Sequence, residues 1–217
     1  MDEIIRTITI YALPIIFAIT LHEAAHAYAA KYFGDTTAYS QGRMSLNPLV
    51  HIDPMGTIVI PLALALMSSP FLFGYAKPVP VNFGALRNPK RDMLWVALAG
   101  PASNFVMAIG WGICLVLLQK ANVDHAFFNG VAEAGVQVNL VLFALNLLPL
   151  PPLDGGRIMF SLLPHHLAFK YAKLEPYGFY ILIGLMFLNI LKYWMVPVLI
   201  VSYGVLDLFL APIKMIF

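Results

Sequence analysis

Residues 8–21 carry no charge, and the run then passes without a break into Leu21-His22-Glu23-Ala24-Ala25-His26. An apolar segment of this kind belongs in a bilayer or a protein core. Three ionisable residues at its end would be costly there unless they shared a purpose. On a helix, positions i and i+4 lie about 40° apart around the axis and about 6 Å apart along it. His22 and His26 can therefore aim two imidazoles at one ion, with Glu23 projecting from the adjacent edge. This is H-E-x-x-H: two zinc ligands and a carboxylate able to take a proton from a water held by the metal. The competing reading is that these polar groups only bond to neighbouring helices. Ala24, Ala25, Ala27, Ala29 and Ala30 keep the helix surface narrow, so another helix can approach closely.

Of the 217 residues, 60% are hydrophobic and only 11% charged. A soluble domain is typically about 25% charged, so the chain reads as an integral membrane protein in contact with lipid. Its length suits one helical domain over residues 1–217. The formal charge of +2 and the 13 basic residues form no patch that would suit a nucleic-acid partner. Cys114 is the one cysteine; it excludes an internal disulfide and reads as packing. Ala27-Tyr28-Ala29 resembles a signal-peptide cleavage site, but Asp2 and Glu3 make the leading segment acidic, so a retained transmembrane helix is expected.

Residues 4–33 form the first expected helix, stopped by Gly34-Asp35. The polar stretch 36–53 suits extended chain or a small hairpin, with His51 and Asp53 as turn formers. Residues 57–73 are apolar, but they number about 17 and are broken by Pro61 and Pro70, which suggests a re-entrant segment. Pro78 and Pro80 keep 74–82 out of a helix. Residues 93–118 read as a spanning helix, where Gly100, Gly110 and Gly112 admit close neighbours. Read alone, Asn104 suits an interhelical hydrogen bond. Another apolar helix, 131–148, carries Asn139 and Asn146, and helices at 177–191 and 193–210 finish the chain. The expected fold is an all-α polytopic membrane protein. It has about five to six transmembrane helices and a small extended or β segment near the site.

Two histidines leave zinc short of a ligand, since catalytic sites commonly use three. Asp154 stands out among the acidic residues because it follows an apolar helix and is flanked by Gly155-Gly156, which would let backbone approach a ligand. A turn-forming role is its alternative, and Asp207, inside the last helix, competes for the same ligand position.

Together, His22-Glu23-x-x-His26, Gly100-Pro101-x-x-Asn104 and Asn146-x-x-Pro149-x-Pro151-x-Leu153-Asp154-Gly155 resemble the site-2 protease family of intramembrane zinc metalloproteases. The resemblance covers about residues 10–160. Gly74-Tyr75-Ala76-Lys77-Pro78-Val79-Pro80-Val81 is similar to a signature of a subset of that family. The resemblance implies His22, His26 and Asp154 as ligands of one Zn2+ per chain, Glu23 as general base, and Asn146 assisting substrate or oxyanion binding. It implies Lys77, Pro78, Val79, Pro80, Val81 and Asn82, with Asn104 and Pro149, as substrate-binding residues. The chain carries no PDZ insertion such as many relatives have.

The implied activity is endoproteolysis of membrane-spanning protein substrates. An unwound substrate would pair in extended form with 74–82, which would satisfy its backbone. Two other classes fit parts of the pattern: a divalent-cation transporter, and a non-catalytic scaffold with a structural metal. A transporter would repeat ionisable groups along several helices. For His26 and Asp154 to share one ion, the helices ending near them should run in the same direction. That makes 57–73 the segment that does not cross, and it puts most basic residues and the active site on the cytoplasmic side of the cell membrane.

Overall fold

Long apolar runs must satisfy their own backbone in lipid, and in this chain they do so as helices. The computed structural model describes residues 2–59, 63, 76–123 and 125–216. In order come α1 (Asp2–Tyr32), α2 (Thr37–Ser40), α3 (Pro89–Lys120), α4 (Ala126–Asn146), α5 (Asp154–Leu162), α6 (His165–Ala172), α7 (Gly178–Phe187) and α8 (Lys192–Ile216). The protein is all-α, and among the described residues there is no strand. Among the described residues, four helices are long and apolar enough to cross a membrane: Ile5–Tyr32, Pro89–Lys120, Ala126–Asn146 and Lys192–Met215. The stretch 36–53, expected as extended chain or a small hairpin, instead contains α2 and a 3-10 turn, Pro48–Val50, capped by the Asn47 side chain. The expected helix over 177–191 is helical for ten residues, too few to span by itself.

Helices in lipid gain little from hiding apolar surface from one another, so close packing has to hold them together. Small residues make that packing. Ala18, Ala24, Ala27 and Ala30 form the buried face of α1. α3 runs antiparallel to α1, with Asn104 opposite His22 and Val96 opposite His26. α4 runs parallel to α1: Ile10 packs on Gly130, and Tyr11 bonds to Gln137. α8 closes the bundle through Leu206 and Leu210 against Ala108, Val136 and Leu140. A Cβ on Gly112 would lie 2.8 Å from a Leu210 methyl, so that glycine sets how near α8 can come.

α1 ends where Gly34 takes φ 112°, a left-handed conformation that favours glycine. Just beyond, the Arg87 N–H donates to the Phe33 carbonyl (3.0 Å). The chain therefore leaves α1 and enters α3 at the same end of the bundle. Most of 57–73 lies outside the described residues, but its two flanks are joined.

Candidate metal centre and active site

Three acceptor atoms converge where α1 meets the start of α5. His22 Nε2 and His26 Nε2 are 3.1 Å apart. Asp154 Oδ2 lies 3.2 Å from the first and 3.3 Å from the second. The tautomers follow from the other ring nitrogens. His26 Nδ1 is 2.7 Å from the Val96 carbonyl, which can only accept, so Nδ1 donates. His22 Nδ1 donates to Asn104 Oδ1 at 2.6 Å, because the Asn104 amide nitrogen is already donating to the Ala18 carbonyl and Asn139 Oδ1. Both Nε2 lone pairs therefore face a carboxylate oxygen.

Neutral imidazoles in these tautomers put no proton among the three atoms, and Asp154 Oδ2 is buried with no hydrogen-bond donor. Such a cluster repels itself unless a cation sits at its centre. Ligand bonds of about 2.0–2.1 Å around one tetrahedral ion separate the ligand atoms by roughly 3.3–3.4 Å, close to the spacing here. Two nitrogens and one carboxylate oxygen also suit zinc by chemistry. The residues present therefore fit the metal.

Gly100 makes the histidine positions possible. A Cβ there would collide with His26 Nε2 and lie 2.7 Å from His22 Cε1. The sequence marks Gly100 as a close-approach site, and the neighbour proves to be the histidine pair. Gly155 and Gly156 act differently from the expectation. Their missing side chains make room for the backbone of Leu147, Leu148, Leu150 and Pro151, so the first turn of α5 packs onto the loop that precedes it. They position Asp154 indirectly and leave no space for a ligand.

Glu23 Oε2 accepts the Val79 N–H at 2.7 Å. Pro78 and Pro80 have no N–H to give, so Val79 is the only donor of that triplet, and it is spent on Glu23. The rest of the segment is pinned as well. The Lys77 N–H donates to the His51 carbonyl (3.0 Å), and Arg43 Nη2 donates to the Lys77 carbonyl (2.8 Å). The Asn82 N–H donates to Asp35 Oδ2 at 2.7 Å. Residues 76–82 thus form an extended strap across the site, without a strand partner among the described residues. Asp35, Arg43 and His51 hold that strap. The sequence marks Asp35 only as part of a helix stop and gives Arg43 no role at the site, because their partners lie more than 30 residues away.

A cavity of about 650 Å³ joins these groups. His22, Glu23, His26, Pro78, Val79, Val81, Asn146 and Asp154 line it, beside Ile19, Leu142, Leu145 and Leu182. Arg157 and Phe83 also line it, with the guanidinium 4.7 Å from the ring centroid. Neither was foreseen, since only the fold brings them together. Lys77, Pro80, Asn82 and Pro149 lie off the cavity wall. Asn104 is corrected: it is 0% exposed beneath His22 and cannot touch substrate. Asn146 donates one amide N–H to the Leu142 carbonyl of its own helix. Asp207, the competing third ligand, is an exposed residue of α8 paired with Lys214 at 3.0 Å.

An acceptor triad of this composition, set in helices that cross a bilayer, defines a membrane-embedded metalloenzyme. Comparison with known proteins gives the family. The profile of peptidase family M50 matches residues 126–189. YwhC of Bacillus subtilis, a candidate zinc metalloprotease, is 41% identical over 192 residues, covering 86% of this chain and 84% of its own. Rip2 of Mycolicibacterium smegmatis, designated in the same terms, is 30% identical over 182 residues, covering 82% of this chain and 67% of its own. Rip2 of Mycobacterium tuberculosis is 30% identical over 164 residues, 74% of this chain and 54% of that protein. No solved structure matches the chain at a comparable level. The chain belongs to peptidase family M50, the site-2 protease family, and is an integral-membrane zinc metalloprotease.

Proposed function

We propose that this protein is an intramembrane endopeptidase that cleaves the transmembrane segments of membrane-protein substrates, with one zinc ion per chain held by His22, His26 and Asp154. The observation that carries the reading is the convergence of three ligand-capable atoms within 3.3 Å, with Glu23 on the wall of the same cavity. Zinc, when bound there, supplies Lewis-acid polarisation of the scissile carbonyl and lowers the pKa of water toward about 7. Glu23 accepts the proton of the attacking water and delivers it to the leaving amine nitrogen. Val79 holds Oε2, which leaves Oε1 to carry that proton. Asn146 has a second amide N–H beyond the one spent on Leu142, and it donates to the carbonyl oxygen as negative charge develops.

Ile19, Val79, Val81, Leu142, Leu145 and Leu182 make most of the cavity wall apolar, which suits residues drawn from a membrane span. The strap receives the unwound substrate on its cavity side, where Val79 and Val81 lie. The whole chain, 1–217, acts as a single catalytic domain. Arg43, Lys77, Arg87, Lys90, Arg91 and Arg157 gather at the end of the bundle where α1 stops and α3 begins, which supports a cytoplasmic position for the site in the cell membrane.

The test uses purified protein in proteoliposomes with a single-spanning model substrate. Glu23→Gln keeps its zinc and loses cleavage by at least about a hundredfold. Asp154→Ala loses zinc, whereas Asp207→Ala keeps both zinc and activity. Retained turnover in Glu23→Gln, or zinc retained by Asp154→Ala, overturns the assignment.

A further inference from the structure

α4 is enclosed by α1, α3 and α8, and between residues 131 and 140 only Glu133 and Gln137 are exposed. Both are polar, on a helix long and apolar enough to span. Elsewhere the long helices turn mainly apolar residues outward, such as Phe17 on α1, Val106 on α3 and Leu208 on α8, and the exposed carboxylate of α8, Asp207, is paired with Lys214. Gln137 is the twelfth of the 21 residues of α4, near mid-span. Tyr11 Oη donates to its Oε1 at 2.9 Å, which leaves the amide N–H groups available. Glu133 has no ion pair among the described residues. A carboxylate and an amide at this depth belong against protein or water, not against hydrocarbon.

The line continues into the active site. One turn beyond Gln137 comes exposed Val141, and then Leu142, Leu145 and Asn146 on the cavity wall, facing Ile19 of α1. We propose that the α4 stripe of Glu133 and Gln137 is a docking track for the substrate's transmembrane segment. It favours segments that carry a hydrogen-bonding or basic residue outboard of the scissile bond. This rests on the proteolytic reading above and adds a specificity determinant to it. The occupant is a transmembrane segment because the stripe lies within the span and is continuous with the cavity where cleavage occurs. The spacing fixes a register: Gln137 and Glu133 lie about 14 Å and about 20 Å along the axis from Asn146. A helical substrate therefore meets Gln137 about nine residues, and Glu133 about 13 residues, from the residue beside Asn146.

The experiment uses the full chain in proteoliposomes with two synthetic single-spanning peptides. One is all Leu/Ala, and the other has one Asn nine residues outboard of the mapped cleavage position. In a Glu23→Gln, Cys114→Ser background, single cysteines at Gln137→Cys and Glu133→Cys are tested for disulfide formation with a cysteine scanned along each peptide. Cross-linking several-fold above that of the outward-facing control Val106→Cys, in the stated register, is expected. With Glu23 intact, the Glu133→Leu/Gln137→Leu double variant should keep its zinc. It should raise KM for the Asn peptide by roughly tenfold and leave the Leu/Ala peptide unchanged. Equal cross-linking at Val106→Cys overturns the proposal. So does an equal loss of kcat for both peptides, which is the signature of a water path. Cross-linking along the Leu/Ala peptide needs no cleavage and no mapped position, since Gln137→Cys and Glu133→Cys should select peptide positions four residues apart, so an inactive wild-type protein would count against the proteolytic reading and leave the docking test in force.

Discussion

Asn104 Oδ1 accepts a 2.6 Å hydrogen bond from Nδ1 of His22, deep between α1 and α3. Asn104 in turn donates to Asn139, which donates to the Gly135 carbonyl, and both asparagines are 0% exposed. This chain ties three helices to one imidazole and fixes which nitrogen faces the metal. Outer partners of metal-bound histidines typically contribute about tenfold to a hundredfold in affinity. Asn104→Ala should therefore weaken zinc binding by about that factor, measured by competition with a chelator. Asn139→Ala, one bond further away, should weaken it less. Equal zinc affinity in wild type and Asn104→Ala would show that the bond only joins helices.

Gly100→Ala should cost the protein its zinc while α-helical circular dichroism persists. The added Cβ would occupy the space of the His26 ring. Gly110→Ala, on the same helix, meets nothing within 4 Å, so it should keep zinc and change stability by no more than about 1 kcal/mol. If the two variants behaved alike, contact at Gly100 would not be what governs the site.

Val79→Pro removes one donor, the N–H that holds Glu23, from a segment already extended between two prolines. Hydrogen bonds to charged groups contribute about 1.5–3 kcal/mol, so kcat should fall by roughly tenfold to a hundredfold with zinc content unchanged. Val79→Ile keeps the N–H and should stay near wild type. Loss of zinc in Val79→Pro would mean that the strap supports the triad and not Glu23 alone.

Cysteines placed at positions 40 and 88, in a Cys114-free protein, should both be protected from an impermeant reagent in intact cells. The Arg87–Phe33 hydrogen bond joins the two flanks of this excursion at one end of the bundle. Labelling of the two positions from opposite faces would mean that residues 57–73 cross the membrane.

The sequence alone determined what depends on local spacing. His22 and His26 face the same way because four residues make just over one helical turn, and this holds whatever α1 packs against. The four long apolar helices were legible for a similar reason, since lipid leaves a long apolar chain few other backbone arrangements. The tertiary structure decided everything that depends on distant partners. Asp154 and Asp207 both follow or sit within apolar helices, and only the packing sends one to the histidines and the other to the outer face of α8. Asn104 resembled a substrate contact in its motif, but antiparallel α1 and α3 place it beneath His22. Val79 became the partner of Glu23 across 56 residues, because two prolines left it the only donor there and Asp35, Arg43 and His51 held its strap in reach. Hydrogen bonds and metal ligation act over about 3 Å in space, whatever the separation along the chain, so only the folded bundle could assign those partners.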